Sequence, residues 1–385
     1  MRLLLITQDF PPDVGGTQTY AYELARRLAE RCEDFAVLAP ALPNTDAVDT
    51  RLPFDVVRIR ASYNTFGLKT LRPLLRLARQ RGFDAVFHVQ WPAVLASWMA
   101  RPLGGPRRIF VAAHGRELLL EPWRRHSILG SFFNRVRTGL LRRADRLFPV
   151  SRYTGMLLQR HGVPAERITV LGNGTDPTHF RPMDNVRALR RDLGLDHQKV
   201  ILTVSRLVSR KGIDTVLRAL PQVVRTIPNV YYLIGGNGPD RERLKALTRE
   251  LHLTDYVRFL GTIPHDELRS YYNVCDVFAM PSREDGPHVE GFGIAFLEAN
   301  ACAKPVIGAR SGGIPDAVRH GETGLLVEPD DEAGLAVALL RLLCDDNLAA
   351  RLGANGQQRV IQEATWDHTA HHLYETMTKE LCTSS

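Results

Sequence analysis

This chain of 385 residues is poor in cysteine, and its five cysteines (32, 275, 302, 344 and 382) include no Cys-x-x-Cys pair. A structural zinc cluster or a disulfide framework is therefore not expected, and a reducing compartment fits best. Long apolar runs are missing too: none approaches the ~18 residues of a membrane span, and the opening Leu3 to Ile6 is too short for a signal peptide. The expected location is the cytoplasm, at most peripheral on the cytoplasmic face of a membrane. No Asp-x-Asp occurs, so neither a bound metal nor another cofactor is expected. The first glycine turn, Gly15-Gly16, is not Gly-x-Gly-x-x-Gly, which argues against a nicotinamide dehydrogenase. Acidic residues are short in the first half alone. Residues 1–185 hold 27 Lys and Arg against 16 Asp and Glu, whereas residues 186–385 hold 23 against 26, within a net charge of +8. That asymmetry points to a polyanionic partner for the N-terminal half.

What the chain does have is an alternation of short apolar runs with amphipathic stretches. Apolar runs at 3–6, 35–39, 56–59, 85–89 and 109–113 read as buried strands, and 17–31, 68–80 and 93–101 read as helices between them. The pattern resumes at Lys199 to Ser205, Val230 to Gly235, Val257 to Gly261 and Val274 to Met280. Strand after helix after strand predicts a doubly wound α/β architecture, and the length allows two such domains. Phe180 to Asp184 reads as the linker, so the expected domains are 1–182 and 183–366.

One stretch concentrates the chemistry. Glu290-Gly-Phe-Gly-Ile-Ala-Phe-Leu-Glu298 follows a strand ending at Pro281, and residues 292–303 read as a buried helix. At about 1.5 Å per residue the two glutamate α-carbons fall roughly 12 Å apart along that axis. Gly291, Phe292, Gly293 and Ile294 stand where the backbone can approach a ligand and where helix amides attract an anion. The carboxylates would repel that anion and so should accept hydroxyl groups on either side of it. Sugar, diphosphate and ribose in a row make a nucleotide sugar. The plain alternative is a buried helix with two incidental glutamates.

Three other strand ends carry candidates. Arg206 and Lys211 follow the strand at 199–205, ahead of Gly212 and a helix start, and make a cation clamp for a diphosphate; Arg210 could replace either by spacing alone. Gly15-Gly16, between the first strand and helix, is a place where amides can cradle phosphate, or else a mere turn. His114, beside Gly115, sits where the 109–113 strand runs out, with Arg116 and Glu117 next to it.

Glu290-x7-Glu298, followed by Ala299-Asn-Ala-Cys-Ala-Lys-Pro-Val-Ile and Ser311-Gly-Gly-Ile-Pro-Asp, resembles the signature of the retaining GT-B glycosyltransferases of family 4, a group that includes phosphatidylinositol mannosyltransferases. The resemblance spans nearly the whole chain. It implies a GT-B fold, two Rossmann-like domains facing each other across a cleft, with a last helix (about 367–385) crossing back from Trp366-Asp367 to complete the first. It implies a hexosyltransferase acting without a metal, on a nucleotide-diphosphate sugar donor and an acceptor hydroxyl of a lipid or glycan. By the same resemblance Gly16 approaches the donor diphosphate, His114 the donor sugar, and Arg206 and Lys211 hold the diphosphate. Ile263 lies where backbone groups read the base, and Glu290 and Glu298 take the sugar and the ribose. Mannose from GDP-mannose is favoured over glucose or N-acetylglucosamine.

Two rival readings stand beside this one. A glycoside hydrolase needs its carboxylates ~5–9.5 Å apart across the scissile bond, which two turns of one helix disfavour. A non-catalytic nucleotide-sugar or glycan-binding module would keep the fold without the turnover. Finally, the run from Trp123 to Arg143 mixes arginines with Ile128, Leu129, Phe132, Phe133, Val136 and Leu140 at roughly helical spacing. It reads either as a helix packed on its own domain or as a segment facing an anionic membrane. No nucleic-acid-binding motif is visible, so nucleic acid is not an expected partner.

Overall fold

The computed structural model describes residues 1–13, 15–119 and 128–383, with the backbone alone at 116 and 128–134. The chain divides into two compact units, one of residues 1–173 with 366–385 and the other of 174–365.

The first unit is built on six strands: β1 (Arg2–Ile6), β2 (Asp34–Pro40), β3 (Asp55–Ile59), β4 (Ala85–His88), β5 (Arg108–Ala113) and β6 (Arg146–Pro149). They pair in parallel in the order β3-β2-β1-β4-β5-β6. Parallel strands covered on both faces must be apolar throughout, and Leu3, Leu4 and Leu5 are fully buried in succession. Helices α1 (Gly16–Ala29), α2 (Phe66–Lys69), α3 (Leu71–Arg81), α4 (Val94–Ala100), α5 (Ile128–Arg143) and α6 (Arg152–Arg160) link them. In α1, Tyr20, Leu24 and Leu28 recur every fourth residue and are all buried.

The second unit repeats the plan with β7 (Lys199–Val204), β8 (Val230–Gly235), β9 (Val257–Gly261), β10 (Val277–Met280), β11 (Val306–Ala309) and β12 (Gly324–Val327). Their order is β12-β11-β10-β7-β8-β9, again all parallel. Its helices include α7 (Ile213–Thr226), α8 (Arg241–Glu250), α9 (His265–Val274), α10 (Ile294–Ala301), α11 (Glu332–Cys344) and α12 (Asp346–Glu363). In each sheet the order reverses once, between β1 and β4 and between β7 and β10. Such a reversal opens a crevice at the carboxyl ends of the two strands, where ligands of doubly wound sheets bind.

The final helix, α13 (Trp366–Cys382), packs on α1 of the first unit. Trp366, Leu373 and Met377 are buried there, each contributing roughly 1.5–3 kcal/mol. Arg27 Nε holds Asp367 at 3.0 Å, and Arg146 pairs with Glu380.

Two readings of the sequence shift. The helix expected over 292–303 is shorter, Ile294–Ala301, because Gly293 takes a left-handed conformation (φ 97°) and the chain bends at Gly291 and Phe292 before it. In the amphipathic run from Trp123, residues 120–127 lie outside the described residues, as do the side chains of Ile128, Leu129, Phe132 and Phe133. Val136 and Leu140 pack against the core of the first unit.

Candidate active site

The crevice of the second unit is where the candidates gather. β7 runs out into the loop carrying Arg206 and Lys211, and β10 into the loop carrying Glu290, and these are the two strands at the reversal. The loops are tied backbone to backbone, Arg283 N donating to Arg210 O at 2.8 Å. Lys211 ends a single 3-10 turn, Ser209–Lys211, and Gly212 (φ 69°) then turns the chain into α7. A side chain at Gly212 would collide with the Pro281 carbonyl, so only glycine fits between the loops.

Lys211 Nζ pairs with Glu290 Oε2, and Arg210 Nη1 reaches the same oxygen at 3.0 Å. Lys211 is buried and Glu290 nearly so. Burial by itself raises the Glu290 pKa, but the charges of Lys211 and Arg210 outweigh it and hold this carboxyl below its ordinary value of 4.5. Burial lowers the Lys211 pKa, and Glu290 pulls against that shift. Two cations share one carboxylate, so the cluster keeps a spare positive charge suited to an anion. The Glu290 carbonyl accepts from Gly313 N at 2.9 Å, which fixes its backbone against the Ser311-Gly-Gly turn.

Glu298, two turns into the region, is treated differently. Tyr272 of α9, fully buried, donates its hydroxyl to Glu298 Oε2 at 2.6 Å. Burial raises the Glu298 carboxyl to about 7, with the Tyr272 hydrogen bond opposing the rise. Nothing in the sequence marks Tyr272, which comes from a helix outside the signature.

The other candidates of this unit are more dispersed. Arg206 is exposed and enters no ion pair among the described residues; Arg210, left open by spacing, is the arginine that joins Lys211 on Glu290. Gly291 and Ile294 are half-buried, Phe292 is buried, and Gly293 caps α10. Ile263 is half-buried beside Gly235 at the end of β8, close enough that a side chain at Gly235 would strike its Cδ1. In the loop 282–288, Arg283 grips Asp214 of α7 at 3.0 and 2.9 Å and Asp330 at 2.8 Å, anchoring the scaffold. Asp285 and His288 close a small turn at its tip.

In the first unit, Gly15 and Gly16 open α1, and a side chain at Gly16 would meet no protein atom within 4 Å. Packing does not demand a glycine there. His114 leaves β5, and its Nε2 stands 3.0 Å from Val89 O at the end of β4. Its ring meets Tyr20 of α1 edge-on, centroids 4.9 Å apart. His114 N donates to the Glu117 carboxylate. The structure thus brings His114 next to the helix that Gly15 and Gly16 begin.

The two sheets recur in solved glycosyltransferases. An Anabaena protein, HepE, solved with UDP, superposes with a TM-score of 0.82 over 98% of this chain and 100% of its own, at 24% identity. Sucrose-phosphate synthase from Thermosynechococcus elongatus gives 0.84 over 100% of both at 25% identity. The fold is GT-B, the fold of glycosyltransferases that use nucleotide sugars. Residues 14–179 match the family description Glycosyltransferase Family 4 and residues 185–359 match Glycosyl transferases group 1, and the chain belongs to glycosyltransferase family 4. A GDP-mannose-dependent alpha-(1-6)-phosphatidylinositol monomannoside mannosyltransferase of Mycobacterium tuberculosis is 35% identical over 380 residues, 97% of each chain. The N-acetyl-alpha-D-glucosaminyl L-malate synthase of Bacillus anthracis is 26% identical over 91% of each. The chain is a hexosyltransferase that takes its sugar from a nucleotide donor, and nothing among these relatives favours a non-catalytic module.

Proposed function

We propose that this chain transfers a mannosyl group from GDP-mannose, with retention, to a hydroxyl of a lipid or glycan precursor on the cytoplasmic face of an anionic membrane. The observation that carries the reading is the pairing of Lys211 and Arg210 with Glu290 in the second unit's crevice, together with 35% identity to a GDP-mannose-dependent enzyme acting on a phosphatidylinositol mannoside.

The departing diphosphate gains negative charge as the glycosidic bond breaks. Lys211, with Arg206 and the backbone of Gly291 to Ile294, is assigned to stabilise that charge, which fixed donors do without reorganising. These cations supply the positive charge for which a divalent ion would otherwise be needed, so turnover should persist in chelator. Glu290 is assigned to the sugar hydroxyls, Glu298 to the ribose, and the backbone at Ile263 to the base. His114, Gly15 and Gly16 belong to the proposal as residues of the first unit whose replacement lowers turnover.

A thermal-shift panel of nucleotides and nucleotide sugars tests the donor, because a ligand at many times its Kd raises the melting temperature most. GDP-mannose should give the largest rise. A larger rise with UDP-glucose or UDP-N-acetylglucosamine would replace mannose with that sugar, and no rise with any would sink the donor site.

A further inference from the structure

Behind the crevice of the second unit, five charged side chains form one connected network. Asp214, in the first turn of α7 and three residues after Lys211, is buried. Its carboxylate accepts from both ends of the Arg283 guanidinium, Nη1 at 3.0 Å and Nη2 at 2.9 Å, and from Arg243 Nη2 of α8 at 3.1 Å. The same two Arg283 nitrogens reach Asp330 at 2.8 Å, Ser209 Oγ at 3.2 Å and Thr215 Oγ1 at 3.3 Å. Arg243 in turn donates to the Asp240 carboxylate at 2.5 and 2.7 Å. Asp240 N then bonds Leu207 O, next to Arg206, at 3.1 Å.

These five residues stand on segments that follow four neighbouring parallel strands: Asp214 after β7, Asp240 and Arg243 after β8, Arg283 after β10 and Asp330 after β12. Arg206, Arg210, Lys211 and Glu290 ride on two of the same segments. Burial alone would raise the Asp214 pKa, but Arg283 and Arg243 outweigh it and hold this carboxyl below its ordinary value of 3.8. A buried ion pair adds little net stability, because desolvation offsets its attraction. What a two-pronged arginine–carboxylate contact does supply is direction, since it fixes a plane and two distances at once. Arg283 lies seven residues before Glu290, and its own N donates to Arg210 O at 2.8 Å. Its grip on Asp214 therefore governs how the β10 segment approaches the β7 segment.

We propose that Asp214 and Arg283 are positioning residues of the donor site, setting where Glu290 meets Lys211 and Arg210. Arg243 and Asp240 carry the same registration to the segment after β8. Neither Asp214 nor Arg283 has to touch the donor; both act through the glutamate and the lysine. The ligand readout below rests on the donor assignment made above, whereas the melting readout does not.

The test is a double-mutant cycle on the full chain, crossing Arg283→Lys with Glu290→Gln. Lysine keeps the charge and loses the fork. At pH 8 the drop in melting temperature caused by Glu290→Gln should shrink to about half or less once Arg283→Lys is present, because the glutamate is already out of register. By calorimetric titration, Arg283→Lys should weaken GDP-mannose roughly tenfold and GDP less than about threefold, since Glu290 is assigned to the sugar. In the Glu290→Gln background its effect on GDP-mannose should fall below about twofold. Asp214→Asn should give the same ligand pattern at a lower melting temperature, and Arg283→Lys decides the matter if that variant does not fold. Additive drops in melting temperature, wild-type affinity for GDP-mannose in Arg283→Lys, or equal weakening of GDP and GDP-mannose would each overturn the proposal. Failure of the wild-type chain to bind GDP-mannose would instead strike the donor assignment, with the melting cycle still deciding the positioning role.

Discussion

Glu290 and Glu298 stand eight positions apart on one short segment, and the fold treats them in opposite ways. Glu290 is countered by Lys211 and Arg210 and held ionised; Glu298 is given only a neutral phenol, Tyr272, and burial raises it to about 7. The first is a fixed charge in a network with a cation to spare. The second is a carboxyl that can be neutral or charged near physiological pH. The difference teaches that the two halves of a Glu-x7-Glu pair need not share a role, and that it is the side chains brought to them, not the spacing, that set their chemistry.

The largest effect should follow from removing the charge partner. Lys211→Ala is expected to lower kcat by roughly 100-fold, the size seen when a preorganised donor to developing charge is lost. Steady-state kinetics at saturating donor would measure it, and a near-wild-type kcat would break the assignment. Glu290→Gln comes next. It leaves Lys211 buried beside Arg210 without a countercharge, and unfolding in urea should show a loss of about 3 kcal/mol together with at least about tenfold lower turnover.

Glu298 should behave otherwise. Glu298→Ala is expected to lower turnover about tenfold at low donor concentration, mainly through KM, since its assigned contact is to the ribose and not to the breaking bond. The pH dependences then separate the pair. A carboxyl raised from 4.5 to about 7 favours the folded state below 4.5, and that contribution is lost as pH rises to about 7. Glu298→Gln should therefore melt higher than wild type at pH 8 and no higher at pH 5. Glu290, held below 4.5, contributes in the opposite sense: its stabilisation is present above that value and lost as acid protonates it. Glu290→Gln should melt lower than wild type at pH 8, the gap closing in acid. Two variants with parallel melting curves against pH would erase the contrast.

The smallest change is the most specific. Tyr272→Phe removes one oxygen, so Glu298 loses its hydrogen bond and its carboxyl rises further. Because the ionised form accepts the donor's hydroxyls, donor affinity should climb with pH through about 7 in wild type and at a higher pH in the variant. Titrations across pH 6 to 9 should show the variant several-fold weaker at pH 7 and equal to wild type at pH 9. A uniform loss at every pH would make Tyr272 a packing residue only.

Much of this was legible before any coordinates. Apolar runs of four to six residues alternating with amphipathic helices can only bury both faces of a parallel sheet, and the two sheets are that. Lys211 and Glu290 were recognisable because each follows a strand end beside a glycine. Arg210 was not separable from Arg206, since which of several neighbouring arginines turns inward depends on the 3-10 turn and the left-handed Gly212. The helix start was read two residues early because the left-handed Gly293 has no signature in an apolar run. Tyr272 was beyond reach: its contact with Glu298 spans 26 residues and two elements. The loop at Arg283 showed its charges, but not that Asp214 and Asp330 claim them.

The close seat of Gly212 against Pro281 couples the two segments that carry Lys211 and Glu290. With no free volume between the two segments, a residue inserted or deleted between 205 and 213 would drag the glutamate along with the lysine, and both would be lost at once. The tip at Asp285 to His288 lies beyond the Arg283 anchor and outside that contact. The lysine and the glutamate are thus mechanically one part, and what displaces either segment displaces both.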